Sequence, residues 1–113
     1  MDFQISESHL DGQIILLTLS GRLTAASAPQ LRGEFKHFEA VAQPKIILDM
    51  SAVQFLDSSG LAALVSGLKS TRERSGWLRL AGVTPQVANI FKLSQLERVF
   101  AIFPDVASAS NRS

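Results

Sequence analysis

The segment Asp57-Ser58-Ser59-Gly60 contains the residue types in this chain that could carry chemistry. Asp57 is suited to the N-cap of a helix, because its carboxylate can accept hydrogen bonds from free first-turn amides and meets the positive end of the helix dipole. Ser58 would then take the first helical position with its hydroxyl in solvent. Gly60 beside it has no side chain that could block an approaching protein. The segment therefore predicts a serine that a protein kinase could reach.

Phosphorylation of Ser58 would place about −1.5 to −2 charges at a helix N-terminus, where negative charge is tolerated or favoured. The fold should survive this modification, so its effect would fall on whatever surface docks there, which is the physical basis of a binding switch. The alternative is that Ser58 and Ser59 only cap a helix, since serine is common at helix N-termini. The four residues by themselves leave both interpretations open.

Hydrolytic and metal chemistry find little support elsewhere in the sequence. The chain has two histidines, His9 and His37, which no predicted element brings to Ser58, and it has no Gly-x-Ser-x-Gly motif. It has no cysteine, which excludes disulfides, thiol catalysis and zinc–thiolate sites. We therefore predict no catalytic residue, no metal site and no cofactor.

The composition predicts one small cytoplasmic domain. With 113 residues, the chain has about three quarters of a typical domain length, so we expect a single domain over residues 1–113 with the last few frayed. Its 46% apolar content allows a core that buries about two thirds of the unfolded surface. The net charge of +1 removes the electrostatic argument for nucleic acid or an anionic membrane. The polar N-terminus, the lack of an apolar run of about 18 residues and the lack of cysteine argue against secretion and membrane insertion.

Hydrophobic patterning predicts alternating strands and helices. Strands are expected around residues 3–5 and over 14–19, 45–50, 77–81 and 99–102, and helices over 28–42 and 58–75, after Pro85 and, as an option, within 104–113. Asp11-Gly12 indicates a hairpin, so the first strand should be antiparallel, whereas right-handed crossovers make the other strands parallel. The predicted fold class is α/β, with a mixed, mostly parallel sheet of four to five strands and three to four helices.

Short segments are predicted to mark the ends of these elements. Ser20-Gly21 is interpreted as a break after the second strand, and Gln43-Pro44 as the end of the first helix. Ser27 to Gln30 fits a capping box at the beginning of that helix, although Thr24 could cap an earlier start.

The serine segment is predicted to follow a buried strand. Functional groups gather beyond the carboxyl ends of parallel strands, and we interpret residues 51–57 as a loop in that place, held to the core by Val53, Phe55 and Leu56. In the helix that follows, Ala63 and Gly67 are four residues apart and off the leucine stripe. Their small size permits close approach of a neighbouring helix or of a docking partner.

Two longer patterns carry a family resemblance. They are Leu48-Asp49-Met50-Ser51, Val53, Phe55-Leu56-Asp57-Ser58-Ser59-Gly60-Leu61 with Leu64, and Gly21-Arg22-Leu23 with Ala25-Ala26-Ser27-Ala28-Pro29-Gln30-Leu31. Their residues and spacing resemble the STAS family, the sulphate transporter and anti-sigma factor antagonist domain. The resemblance covers essentially the whole chain, in the element order that the periodicity predicts.

This resemblance implies a bacterial anti-sigma factor antagonist. Such a protein binds an anti-sigma factor that is also a serine kinase, and thereby releases a sigma factor. Phosphorylation of the first serine of the motif, here Ser58, breaks the complex, and a serine phosphatase resets it. The family member is then a substrate and not an enzyme.

The resemblance also implies a partner-binding surface around this serine. We expect it to include Thr24, Asp57, Ser58, Ser59, Gly60, Ala63 and Gly67. Family antagonists often carry Asp where this chain has Thr24, which can cap a helix but supplies no charge. The alternative within the same family is an accessory or scaffold subunit of a lipid transporter or a signalling assembly.

Overall fold

The computed structural model describes residues 3–111 and contains one five-stranded sheet with four α-helices. The strands are β1 (Gln4–Leu10), β2 (Ile14–Leu23), β3 (Lys45–Leu56), β4 (Trp77–Ala81) and β5 (Ala101–Phe103). The helices are α1 (Ala28–His37), α2 (Ser58–Glu73), α3 (Pro85–Leu93) and α4 (Val106–Asn111), with a 3₁₀ turn at Phe38–Ala40.

The sheet is mixed, with the strands in the order β1-β2-β3-β4-β5. β1 is antiparallel to β2, and β3, β4 and β5 each run parallel to the strand before them. The hairpin turn between β1 and β2 contains Gly12 at φ +79°, a backbone conformation that glycine adopts readily. The predicted fold class, including the antiparallel first strand, is confirmed.

Both faces of the sheet are covered by helices. Successive residues of a strand point to opposite faces, so Ile46 and Leu48 of β3 join the main core, whereas Ile47 joins a smaller cluster. The main core takes its helical side chains from α1, α2 and α3, and the smaller cluster takes Ala109 from α4. This two-sided burial explains the unbroken apolar run at the beginning of β3.

β2 and β3 extend further than the sequence predicts. The interpretation of residues 20–21 as a break is wrong, and that of 51–57 as a loop holds only for Asp57. The two strands continue as a pair in which Gly21 lies opposite Val53 and Leu23 opposite Leu56. Register shifts near Thr18 and Gly21, the latter at φ +99°, bend this ribbon without ending it. Val53 and Leu56 are buried, as predicted, whereas Phe55 is half-buried outside the core, with the Arg22 guanidinium 4.8 Å from its ring centre. Their strand ends directly before Asp57 and the beginning of α2.

α1 begins where predicted, but its N-terminal capping and its C-terminal end differ from the prediction. The Ser27 hydroxyl donates to the Arg22 carbonyl at 2.7 Å and accepts from the Thr24 N–H, and it makes no cap bond to the helix, so the predicted capping box is absent. The α-helix ends at His37, and Ala42 is exposed, so the predicted helix over 28–42 is too long.

The C-terminal elements differ from the prediction by small shifts. β5 covers Ala101–Phe103 where 99–102 was predicted, and the optional terminal helix is present as α4. α4 has more to bury than its composition indicates, because Ala109 is fully buried and its carbonyl accepts from the Arg79 guanidinium at 2.7 Å. The expected fraying of the last few residues includes Arg112 and Ser113, which lie outside the described residues.

Candidate functional site

Asp57 connects the beginning of α2 to the turn after β2. Its Oδ1 accepts from the Gly60 N–H at 2.9 Å, which is the predicted N-cap bond. Its Oδ2 accepts from the Ala25 N–H at 3.2 Å, and its own N–H donates to the Leu23 carbonyl at 3.2 Å. One side chain therefore orients both segments around the serines.

Ser58 is the first residue of α2 and is exposed, as predicted, whereas Ser59 is half-buried. The N-terminus of a helix carries a partial positive charge from its free N–H groups. An added phosphate on Ser58 would therefore meet solvent and a favourable field, and a bulky group on Ser59 would have less room.

The turn between β2 and α1 lies beside the serines and is internally hydrogen-bonded. The Thr24 carbonyl accepts from the N–H groups of Ser27 and Ala28 at 3.0 and 2.7 Å, and the Thr24 hydroxyl accepts from the Ala26 N–H at 3.3 Å. Thr24 thus shapes the turn with its backbone and its side chain. The hydrogen bond between Asp57 and Ala25 places this turn beside the beginning of α2.

An open groove of about 350 Å³ lies between α1 and α2. We name it the Ser58 groove, and it is lined by Ala25, Ala28, Pro29, Arg32, Ser58, Ser59 and Ala62. Its walls are small and mostly apolar apart from the two serines and Arg32. The shape suits a protruding side chain of a protein partner better than an extended small molecule, because small ligands are usually enclosed more completely.

Gly60, Ala63 and Gly67 lie beneath this surface. All three are buried. A Cβ added to Gly60 would stand 2.8 Å from side-chain atoms of Leu23 and Leu56, so glycine is needed here for close packing of α2 on the strands. The prediction that Gly60 leaves an approach to Ser58 open is therefore wrong. A protein docking here would not contact Gly60, Ala63 or Gly67 directly, and these residues would affect it only through the position of α2.

Gly67 is a point of close approach between α2 and α1. A Cβ added there would stand 2.7 Å from Cδ2 of the buried Phe35 ring. Of the two alternatives for the small residues of α2, this contact supports packing against the neighbouring helix.

Neither histidine of the chain lies near Ser58. His37 ends α1, about 13 Å along the helix axis from Ala28 at the groove. His9 pairs with Ile15, about 26 Å along β2 from Leu23. Within residues 3–111, no group of three or more potential metal ligands is present. The groove therefore holds no histidine base for a serine nucleophile.

Two of the groove residues, Ser58 and Ser59, were predicted from the sequence, and the other five were missed: Ala25, Ala28, Pro29, Arg32 and Ala62. Helical spacing contained part of the signal, because Ala28 and Arg32 are four apart in α1, and Ser58 and Ala62 are four apart in α2. The spacing alone does not show that these faces of α1 and α2 lie opposite each other.

Comparisons with known proteins agree with this architecture. A model of the STAS domain matches residues 6–109. The chain is 27% identical over 112 residues to the anti-sigma F factor antagonist of Paenibacillus polymyxa, covering 96% of this chain and 93% of the relative. Two solved structures share the fold: an anti-sigma factor antagonist from Mycobacterium paratuberculosis and the phosphorylated form of the Bacillus cell fate determinant SpoIIAA.

The first of these structures has a TM-score of 0.85 at 24% identity and covers 96% of this chain and 92% of that one. The second has a TM-score of 0.75 at 18% identity and covers 96% and 98%. In the part of the chain that the structure describes, none of the helices combines the length and apolar character needed to cross a membrane.

Proposed function

Because the chain belongs to the STAS domain family, we propose that it is an anti-sigma factor antagonist whose partner is an anti-sigma factor with serine-kinase activity. In the unphosphorylated state it binds this partner, and a sigma factor is released. Phosphorylation of Ser58 ends the complex, and a serine phosphatase restores the binding form. The observation that carries this proposal is the exposed Ser58 hydroxyl at the first position of α2, beside an open groove.

In this scheme the protein is a substrate. The Ser58 oxygen attacks the γ-phosphorus of ATP held by the kinase, ADP leaves, and the hydroxyl proton passes to a base of the kinase. The phosphatase reverses the modification with water, which releases inorganic phosphate and regenerates the hydroxyl. The chain itself supplies only an accessible oxygen at a rigid, capped helix end.

The partner surface consists of the groove, the turn at Thr24 and the exposed beginning of α2. A neutral hydroxyl can be enclosed by a partner at modest cost, whereas a phosphate must lose its water and stands next to the Asp57 carboxylate. Burying such a charge without a new cation costs about 2–5 kcal/mol, which is roughly a thirty-fold to several-thousand-fold loss of affinity. We expect most of this loss as faster dissociation, because the rest of the surface is unchanged.

Two measurements test the proposal. Mass spectrometry after incubation with the kinase and ATP should find the phosphate on Ser58, and Ser58→Ala should abolish labelling whereas Ser59→Ala should keep it. Surface plasmon resonance should then show tight binding of the unmodified protein and of Ser58→Ala, and fast dissociation of the phosphoprotein.

Phosphate found only on Ser59 would contradict the assignment of the acceptor. Equal affinity of all three forms would reject the switch and favour an accessory or scaffold subunit of a lipid transporter or a signalling assembly.

A further inference from the structure

Arg32 supplies the positive charge in the lining of the Ser58 groove. It is exposed on α1, and its Nη1 donates to the Ser66 hydroxyl of α2 at 2.8 Å. No carboxylate among residues 3–111 pairs with it. In the unmodified protein the guanidinium is thus held by a neutral acceptor only.

Arg32 stands at the boundary of two cavities. It lines the Ser58 groove, and it also lines the neighbouring cavity, whose other lining residues are Phe35, Lys36, Glu39, Ser66 and Ser70. The groove wall that it shares with Ser58 is completed by alanines and one proline, which leave room for a long side chain to lie along it. Ser66 lies eight residues after Ser58 in α2, about 12 Å along the helix axis, so pairing with Ser58 requires a change of the Arg32 side-chain rotamer.

We propose that Arg32 is the intramolecular counter-ion of phosphorylated Ser58, which it binds by exchanging the Ser66 hydroxyl for the phosphate oxygens. The hydrogen bond from Arg32 to Ser66 has one charged partner, whereas a phosphate adds the opposite charge and offers two oxygens that the planar guanidinium matches at once. The exchange therefore favours the phosphate. This inference rests on the phosphorylation of Ser58 that is proposed above.

The pairing adds a steric component to the switch. A phosphate held by Arg32 lies across the groove and occupies the space that a partner side chain would enter. Because the guanidinium compensates part of the phosphate charge, filling of the groove then accounts for a larger share of partner exclusion than it would without Arg32.

The test is a ³¹P NMR titration of protein in which phosphoserine is incorporated at position 58 during translation, so that no kinase is needed. The second pKa of free phosphoserine is about 6. Arg32 and Asp57 are the charged groups beside the phosphate, and Asp57 is kept in every sample. We expect Arg32→Gln to raise the phosphate pKa by roughly half a unit relative to the unsubstituted phosphoprotein, because an opposite charge favours the dianion.

Two variants make this test specific. Lys36→Gln removes the same charge one turn further along α1 and should move the phosphate pKa by less than a third as much. Arg32→Lys keeps the positive charge, so its phosphate pKa should lie close to that of the unsubstituted phosphoprotein. The difference between Arg32→Gln and the unsubstituted protein should shrink in 0.5 M salt, because exposed ion pairs are screened.

Equal phosphate pKa values with and without Arg32, or equal shifts in Arg32→Gln and Lys36→Gln, would overturn the inference. Neither outcome depends on the kinase. Failure of the kinase to modify Ser58 would instead remove the proposed function and leave this titration unaffected.

Discussion

The carboxylate of Asp57 accepts a hydrogen bond from the backbone N–H of Ala25, 32 positions earlier in the chain. Its other oxygen caps α2 through Gly60. One side chain therefore links the turn after β2 to the first turn of α2 and holds the two parts of the candidate site together.

Replacing this anchor should destabilise the fold. We expect Asp57→Ala to lower the free energy of unfolding by about 1–2 kcal/mol, the usual loss for an N-cap. Asp57→Asn keeps an oxygen for Gly60 but turns an amide group toward Ala25, so its loss should be smaller. Urea unfolding followed by fluorescence of Trp77, the single tryptophan, measures both.

Amide hydrogen exchange separates the two bonds of Asp57. In Asp57→Asn the Ala25 N–H should exchange faster while the Gly60 N–H stays protected. Equal stability of Asp57→Ala and the unsubstituted protein would show that the cap contributes nothing.

A negative charge at Ser58 should leave the fold intact. Ser58 is exposed at the N-terminus of α2, where the helix dipole favours an anion, so we expect Ser58→Asp to change the free energy of unfolding by less than about 1 kcal/mol. Circular dichroism melts of both proteins measure this difference. Loss of the cooperative transition in the variant would show that Ser58 is required inside the structure.

Two glycines in helices should respond to alanine with opposite signs. Gly67→Ala places a methyl group against the buried Phe35 ring, and such overpacking typically costs about 1–3 kcal/mol. Gly33→Ala in α1 is the matched control, because its added Cβ meets nothing within 4 Å. We expect Gly33→Ala to stabilise the protein by about 0.5–1 kcal/mol through helix propensity alone. Equal effects in urea unfolding would contradict the close approach of α1 and α2.

Acidification should reduce the stability that the Asp105 carboxylate contributes at the beginning of α4. Hydrogen bonds from the backbone and the side chain of Ser108 lower the pKa of the Asp105 carboxyl. A lowered folded-state pKa stabilises the fold above the unfolded pKa of about 3.9, and this contribution is lost as the pH falls through the folded value.

Asp105→Asn removes this titration. Its urea midpoint should therefore fall less than that of the unsubstituted protein between pH 5 and pH 2, and the difference should be small because Asp105 is exposed. Parallel pH profiles of the two proteins would show that Asp105 does not contribute.

Several features of this protein follow from local sequence signals. The spacing of apolar residues predicted the order of strands and helices, because a buried strand has a continuous apolar run whereas an amphipathic helix has apolar residues three and four apart. The Asp57 cap and the helical position of Ser58 were predictable for a related reason, since capping depends on residues only three apart.

The extent of β2 and β3 could not be predicted in the same way. Ser20, Gly21 and the polar residues after Met50 have weak strand preference, yet they pair because each strand satisfies the backbone groups of the other. The glycine interpreted from the sequence as a break is Gly21, and in the structure it lies at a bulge within β2 and not at the end of the strand.

The Ser58 groove and the position of Arg32 in its lining depend on tertiary structure and could not be predicted from local sequence. Arg32 meets Ser66 across 34 positions, and Gly67 meets Phe35 because α1 and α2 pack on the same face of the sheet. No local pattern specifies which faces of two helices come together. That choice depends on the sheet that carries both helices and on the volumes of the side chains between them.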